Sequence, residues 1–248
     1  MKIAVCYRGL LRTISQTFEN HKEKLFKDYP VDFFVHTWNQ YSDEIDFVKT
    51  QIKPKSILVE DFKNLEINPY NTIRFNEIAL HQNFKKDKKL SDGIFHSRPY
   101  NTLSMLYSSM IVNSLRKQYS NDYDLVVSIR PDIVFYDELN LFEVKKDQLN
   151  ISWFENIGDH LDHGDSIIDH IAIGDPKVID KYSDCFLYVP AYYFNLEVSL
   201  VPEILLGYHS KRKCELNVNM LNTRHSVIRI QNYNYRMSWH QVPMKGVS

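Results

Sequence analysis

The stretch DLVVSIRPDIVF, residues 124–135, places an arginine and an aspartate directly after an apolar run. We predict a buried β-strand over residues 123–129, stopped by Pro131 because proline donates no hydrogen bond to a strand ladder. Two similar runs lie earlier, at residues 3–7 and 31–36. Segments of crossover length separate the three runs, which predicts that they are neighbouring strands of one largely parallel sheet.

The rest of the chain alternates short apolar runs with helical periods, a pattern typical of α/β proteins. We therefore predict a single α/β domain over residues 1–248, Rossmann-like, with a mostly parallel central sheet flanked by helices. Residues 60–99 are predicted to be irregular, and their KKDKK run to be a solvated loop. Further strands are predicted at residues 56–59, 149–153, 167–173 and 227–230. Helices are predicted from Thr13 or Ser15 to about Phe26 and at residues 101–119, 176–186 and 202–210.

Composition excludes several classes of protein. The formal net charge of −1 offers no basic field for nucleic acid. Three scattered cysteines are too few for a disulfide framework, so we expect reduced thiols and a cytoplasmic location. No apolar run approaches the roughly 20 residues of a membrane span. We expect no transmembrane segment, and any membrane contact to be peripheral.

Arg130 and Asp132 follow the strand at 123–129, at the sheet edge where ligands of α/β proteins bind. A carboxylate there can hold Mg²⁺ or Mn²⁺, which would neutralise a diphosphate. The arginine can grip phosphate or orient the aspartate. A purely structural ion pair is an equally good interpretation. Asp132→Asn is expected to cripple activity without affecting the fold, on the assumption of an exposed carboxylate.

The first two strands also end in polar residues. Gly9 permits a tight turn, and Arg8 and Arg12 flank it near a helix N-terminus, where phosphate groups bind. This is not the GxGxxG fingerprint of a dehydrogenase. His36 and Thr37 end the second strand, where they can hold a base or ribose or serve only as buried structural residues.

Two carboxylates in the second half of the chain are candidate catalytic bases. Asp169 and His170 enter the predicted strand at 167–173, where one of them is expected to reach the site. Glu203 begins a helix, either to stabilise the helix dipole or to face an acceptor. The Asp and His residues at 159–165 match no zinc motif.

Taken together, the ordered segments resemble the GT-A-like glycosyltransferases encoded in bacterial surface-polysaccharide clusters and by some large DNA viruses. The segments that carry the resemblance are IAVCYRGLLR (3–12), VDFFVHTW (31–38), YDLVVSIRPD (123–132), DHIAIGD (169–175) and PEILL (202–206). The resemblance implies a GT-A fold, a nucleotide-sugar donor bound by residues 1–135 and a carbohydrate acceptor bound by residues 136–248.

The resemblance also implies roles for individual residues. The metal motif of such enzymes is usually Asp-x-Asp, but here it reads Arg-Pro-Asp, so the first carboxylate is missing. We still expect Mn²⁺ or Mg²⁺ at Asp132, with arginines in place of the ion as the alternative. Asp169 is the first candidate for the base of an inverting reaction and Glu203 the second. The residues expected to bind the nucleotide sugar are Arg8, Gly9, Arg12, His36, Thr37, Arg130 and Asp132.

A non-catalytic nucleotide- or glycan-binding protein on the same fold is the main alternative. A sulfotransferase would need a phosphate-binding loop rich in Gly, Ser, Thr and Lys after the first strand, and the sequence RGLL at residues 8–11 does not supply one.

Overall fold

A seven-stranded sheet organises the protein, as seen in a computed structural model that describes residues 1–27, 29–61, 99–152, 166–231 and 234–237. A three-stranded sheet lies at its side. The strands are β1 Ile3–Arg8, β2 Val31–Trp38, β3 Ser56–Glu60, β4 Leu125–Ile129, β5 Ile133–Phe135, β6 Leu149–Ser152, β7 Ile171–Gly174, β8 Val218–Leu221, β9 His225–Gln231 and β10 Asn234–Met237.

The large sheet has the strand order β3-β2-β1-β4-β7-β6-β8. Strands β3, β2, β1 and β4 run parallel, β7 is antiparallel to both of its neighbours, and β6 pairs parallel with β8. The prediction of a mostly parallel sheet with β1, β2 and β4 as neighbours is confirmed. Arg8 pairs in register with His36, so the ends of β1 and β2 meet at one edge. The chain passes from β1 to β2 and later returns to β4 on the other side of β1, which makes this edge a topological switch point.

Helices cover both faces of the sheet. They are α1 Ile14–His21, continued as a π-helix over Lys22–Phe26; α2 Ser42–Phe47, continued over Val48–Ile52; α3 Pro99–Tyr119; α4 Pro176–Ser183; α5 Cys185–Asn195; and α6 Pro202–Gly207, continued over Tyr208–Lys213. None of the helices in the described ranges is long and apolar enough to cross a membrane.

Alternation along β1 shows how the two faces are separated. Ala4 and Cys6 belong to the core under α3, α4 and α5, whereas Ile3, Val5 and Tyr7 belong to the core under α1 and α2. Successive side chains of a strand point to opposite faces, so a fully apolar strand requires a helical layer on each side. The α/β class predicted from the sequence is therefore confirmed, in an architecture compatible with a Rossmann-like domain.

The strand predicted at residues 167–173 was too long, since β7 begins only at Ile171. The side chain of Arg8 donates to the carbonyl oxygen of Asp169, and the backbone N–H of Arg130 donates to that of His170. The carbonyl oxygens of Asp169 and His170 therefore accept hydrogen bonds from the residues at the ends of β1 and β4, and neither residue belongs to β7.

One predicted helix was misplaced at its end, and helices α2 and α5 and strands β5, β8 and β10 were not predicted. The helix expected over residues 176–186 ends at Ser183, and α5 follows at once. Helix α5 has the nearly uniform apolar sequence CFLYVPAYYFN, which shows no helical period and contains Pro190. Helix α2 was not predicted, and β5 was too short to predict and pairs with β9. Residues 62–98 with their KKDKK run, Trp153 and the Asp/His cluster at 159–165 lie outside the described residues.

Helix α1 holds the chain that follows β4. The hydroxyl of Thr17 donates to the carbonyl of Pro131 at 2.5 Å, and Nε2 of His21 donates to that of Ile133 at 2.7 Å. Nδ1 of His21 then accepts from the hydroxyl of Tyr7 at 2.9 Å. Burial lowers the pKa of His21 to about 4, so the ring is neutral and can make both bonds.

The expected side-chain cap of α1 is not formed. Thr13 occupies the N-cap position, but its hydroxyl makes no capping hydrogen bond. The hydroxyl of Ser15 donates instead to Glu44 at 2.8 Å. The helix is thus anchored by the buried contacts of its inner face rather than by a cap.

Replacing Thr17 with valine tests this anchor. The change keeps the side-chain shape but leaves the buried carbonyl of Pro131 without its donor, so we expect the free energy of unfolding to fall by about 1–3 kcal/mol. Urea denaturation measures it. In the control Thr50→Val, the lost bond joins an exposed hydroxyl to the carbonyl of Asp46. Water replaces that bond, and we expect a change below about 0.5 kcal/mol. Equal losses of unfolding free energy in the two variants would contradict a role of the Thr17 hydrogen bond in anchoring this turn.

Candidate functional site

A cleft of about 510 Å³ lies at the switch point, beyond the ends of β1 and β4. It is built from the turn before α1, the turn after β4, the segment before β7 and the starts of α3 and α6. Seven of the nine residues predicted for the site line it: Arg8, Gly9, Arg12, Arg130, Asp132, Asp169 and Glu203. These residues come from both halves of the chain. Parallel strands have their carboxyl ends at one edge of the sheet, which brings together the residues that follow β1 and β4.

His36 and Thr37 are buried behind the cleft instead of lining it. Trp38, the next residue, is the one from β2 that reaches the cleft. A direct contact of His36 or Thr37 with a base or ribose therefore has no support in their placement.

His36 instead supports the turn at Gly9. Its Nε2 donates to the carboxylate of Glu60 at 2.8 Å, which leaves Nδ1 to accept from the hydroxyl of Ser108 at 2.7 Å. The oxygen of Ser108 in turn accepts from the backbone N–H of Gly9 at 2.7 Å. Gly9 has φ +93°, and the space where a Cβ would stand is open. The predicted tight turn is present, held by a buried polar chain that runs behind it.

Arg130 lies between the two aspartates of the site. Its Nε and one terminal nitrogen donate to the two oxygens of Asp132 at 3.0 and 2.9 Å. The other terminal nitrogen donates to Asp169 at 3.5 Å. A guanidinium that grips one carboxylate through two parallel bonds forms the strongest class of side-chain pair.

This pairing sets the charge states of the three residues. Burial alone would raise the pKa of Asp132 and of Asp169, but the nearby positive charges, with Arg130 foremost, together outweigh it and lower both. Burial would lower the pKa of Arg130, and the two carboxylates together raise it instead. Both aspartates are thus ionised at neutral pH, and their negative charge is matched by arginine.

Asp132 is only 3% exposed. The assumption that its carboxylate is exposed is therefore wrong, and the expectation that Asp132→Asn leaves the fold intact loses its basis. Removing one partner of a buried ion pair strands the other charge and costs about 3–5 kcal/mol. Its substitution tests packing and chemistry at once, so it cannot serve alone as a test of activity.

The two other arginines of the cleft differ in what they contact. Arg8 is 2% exposed, and it donates to the hydroxyl of Ser128 at 3.2 Å and to the carbonyl of Asp169. The side chain of Arg12 is 33% exposed and approaches Asp132 only to 3.9 Å. Arg8 forms part of the floor of the site, whereas Arg12 presents its guanidinium to the cleft.

His170 lies in the wall of the cleft beside Asp169. Its Nδ1 lies 2.7 Å from Nε2 of His225 on β9, and its Nε2 lies 3.8 Å from Asp169. Burial lowers the pKa of His170 to about 3. The ring is therefore neutral, and its contact with β9 ties the small sheet to the cleft wall.

Among the described residues of the cleft, Glu203 is the carboxylate that has no arginine contact. It stands in the first turn of α6, after Pro202. Burial, and then the negative charge of Asp169, raise the pKa of Glu203 to about 7. A carboxyl with this pKa exchanges protons at neutral pH, which suits a general base far better than the ionised, arginine-bound Asp169.

The residues present do not fit a divalent cation at Asp132. Both oxygens of this carboxylate already accept hydrogen bonds from Arg130, and Arg12 lies beside the second one. Like charges about 4 Å apart repel by roughly 1–4 kcal/mol per unit of charge. Within the described part of the chain, no group of three or more His, Cys, Asp or Glu side chains is arranged to hold a metal ion.

Comparison with known protein families and with curated protein sequences finds no match to this chain.

Sequence reasoning missed the wall formed by the start of α3. Its lining residues are Asn101, Thr102, Ser104 and Met105. Small polar residues at the beginning of a helix are also what solvent exposure produces, so the sequence carries no signal that separates the two cases.

The raised pKa of Glu203 predicts a measurable effect on stability. The folded protein keeps this proton up to about pH 7, whereas the unfolded chain releases it near the ordinary value of 4.5. The folded state thus binds the proton more tightly, and the stability that it contributes at low pH is lost as pH rises through 7. Glu203→Gln abolishes that loss, so its Tm relative to the wild type should be higher at about pH 8 than at about pH 5. Differential scanning calorimetry at the two pH values measures the difference.

The exposed residue Glu143 supplies the control. Glu143→Gln should shift Tm equally at the two pH values. A shift for Glu203→Gln that is likewise independent of pH would contradict the raised pKa.

Proposed function

We propose that this protein is a glycosyltransferase with a GT-A-like fold, which transfers a sugar from a nucleoside-diphosphate sugar to a hydroxyl of a carbohydrate acceptor. The observation that carries the proposal is the convergence of three arginines and three carboxylates in one cleft at the switch point of the sheet. Clefts at this place in open α/β sheets bind nucleotides. The resemblance of the sequence to enzymes of surface-polysaccharide synthesis suggests glycan synthesis as the setting.

The two halves of the chain supply different parts of the cleft. Arg8, Gly9 and Arg12, together with Arg130, come from residues 1–135, and their cationic groups suit the diphosphate of the donor. Asp169 and Glu203 come from residues 136–248 and line the same cleft. This arrangement supports a donor half and an acceptor half.

In the proposed reaction, the hydroxyl oxygen of the acceptor attacks the anomeric carbon of the donor sugar. The bond between that carbon and the phosphate oxygen breaks, and its electron pair leaves with the nucleoside diphosphate. For an inverting reaction, the proton of the hydroxyl passes to Glu203, whose pKa of about 7 matches the task. Asp169 holds Arg130 and so acts as a positioning residue. This reverses the order in which the sequence ranked the two carboxylates.

No step of this mechanism uses the Mn²⁺ or Mg²⁺ that the resemblance implies, because Asp132 does not fit such an ion. The nucleoside diphosphate leaves with negative charge, and preorganised cationic side chains can stabilise that charge as it develops. A cytoplasmic setting is part of the proposal, and the free cysteines Cys6, Cys185 and Cys214 are compatible with it.

Turnover of Glu203 variants tests the proposal. With a panel of UDP-, GDP- and dTDP-sugars and oligosaccharide acceptors, the wild type should release nucleoside diphosphate and form a glycoside. Glu203→Gln should lower kcat by about 10²–10⁴-fold, because it removes the group that takes the proton. The wild-type rate should fall as pH drops below about 7, and the variant should lose that dependence.

The control Glu143→Gln should match the wild type. Nucleotide binding without release of nucleoside diphosphate from any donor would instead support the non-catalytic alternative. Wild-type turnover in Glu203→Gln would remove this residue from the mechanism.

A further inference from the structure

We propose that the site binds the diphosphate of its donor without a divalent cation, through Arg12 as the direct ligand. In this arrangement Asp132 holds Arg130 in position behind Arg12. The inference rests on the proposed function and names the group that performs charge neutralisation there. It departs from the metal site that the resemblance implies, and it follows from the geometry of four side chains.

The carboxylate of Asp132 is already engaged. Arg130 approaches it edge-on, with one nitrogen at 3.0 Å from Oδ1 and another at 2.9 Å from Oδ2. Asp132 is 3% exposed, so little of its surface is open to an ion from the cleft. A cation would have to break a bidentate bond and enter between two guanidinium groups. The charges of Arg130 and Asp132 therefore already neutralise each other without a metal ion.

Arg12 differs from Arg130 in its exposure and in its hydrogen bonds. It makes no hydrogen bond to another described residue, and its nearest carboxylate oxygen is 3.9 Å away. A third of its side chain is exposed, and it lines the cleft. The neighbouring Gly9 leaves open space where a side chain would stand. A phosphate group can therefore approach the backbone closely and meet a guanidinium with free donors, which suits bidentate binding of an oxyanion.

The balance of charge favours an anion over a cation. Among the described residues that line the cleft, Arg8, Arg12 and Arg130 carry three positive charges, and Asp132 and Asp169 carry two negative charges. Glu203 adds a negative charge only when it is ionised. While Glu203 is protonated, the cleft is net positive, so a divalent cation would raise an uncompensated charge and a diphosphate would lower it.

The same geometry gives Asp132 a role other than metal binding. Arg130 is held on both sides, by Asp132 and by Asp169 at 3.5 Å. A guanidinium fixed in this way keeps its place as charge develops on the leaving diphosphate, and it requires no reorganisation. Asp132 is thus a positioning residue, and its loss should disturb Arg130 rather than expel a metal.

Two measurements test the inference, and neither depends on turnover. Isothermal titration calorimetry with UDP, GDP and dTDP gives the Kd in the presence of Mn²⁺ and in the presence of EDTA. Titration of Mn²⁺ into the protein, followed by electron paramagnetic resonance with and without the same nucleotides, reports any bound ion directly. We expect at least one nucleotide to bind with a Kd that changes less than about twofold between Mn²⁺ and EDTA, and no protein-bound Mn²⁺.

Substitutions of Arg12, with a control at the end of α1, test whether this arginine binds the diphosphate. Arg12→Gln should weaken nucleotide binding by about tenfold or more, because it removes a charge-assisted contact to phosphate. Arg12→Lys should recover part of the loss, since it restores the charge without the planar fork. Lys22→Gln removes one positive charge from the exposed face of the same region and should change Kd by less than about twofold.

Three outcomes would overturn the inference. Stoichiometric protein-bound Mn²⁺ in the nucleotide complex of the wild type would restore the metal site while leaving the proposed function intact. Wild-type affinity in Arg12→Gln would move the diphosphate to another group. Absence of nucleotide binding both with Mn²⁺ and with EDTA would overturn the proposed function, and this inference with it.

Discussion

The position of Arg130 between two aspartates is the constraint on which the cleft depends. Its side chain grips Asp132 through two bonds and reaches Asp169, and its backbone N–H donates to the carbonyl of His170. One residue at the end of β4 thereby joins the turn that follows this strand to the segment that leads into β7. Both aspartates are buried, and Arg130 is the foremost of the positive charges that keep their pKa values below the ordinary range.

Buried charge of this kind is stable only where the surrounding backbone is rigid. The turn after β4 is held from one side by Thr17 and His21 of α1. The turn after β1 is held from the other side by the chain of Glu60, His36 and Ser108. The two supports lie on opposite faces of the central strands, and the cleft opens between the turns that they fix. Buried polar groups outside the cleft thus keep the charged groups inside it in place.

Environment separates carboxylates of similar chemistry into different roles. Asp132 and Asp169 sit against arginine and stay ionised, whereas Glu203 is desolvated and feels the charge of Asp169. The result is a protonatable group beside two permanent anions in a single cleft. Pairs of acids whose pKa values are pushed apart mark places where protons can be moved. In this protein the difference arises from one guanidinium that reaches two carboxylates directly and makes no direct contact with the third.

The sequence by itself determined the α/β class, the three central parallel strands and the strand ends where polar residues gather. Apolar runs of strand length and the stop at Pro131 are local signals, and a parallel sheet brings the ends of its strands to one edge by geometry alone. That is why the sequence could place Arg8, Gly9, Arg12, Arg130 and Asp132 at one edge of the sheet. Elements without a local signal were missed: the uniformly apolar α5 and the three-residue β5.

Only the tertiary structure decided what each polar residue contacts. His36 and Trp38 are two residues apart on one strand, yet one is buried behind the cleft and the other lines it. Asp169 ranked above Glu203 in the sequence, but positive charges led by Arg130, 39 positions away, lower the pKa of Asp169, whereas the pKa of Glu203 is raised. Burial and charge pairing depend on residues far apart in the chain, so their effect on pKa, and the pairing that closes Asp132 to a metal ion, cannot be read from local pattern.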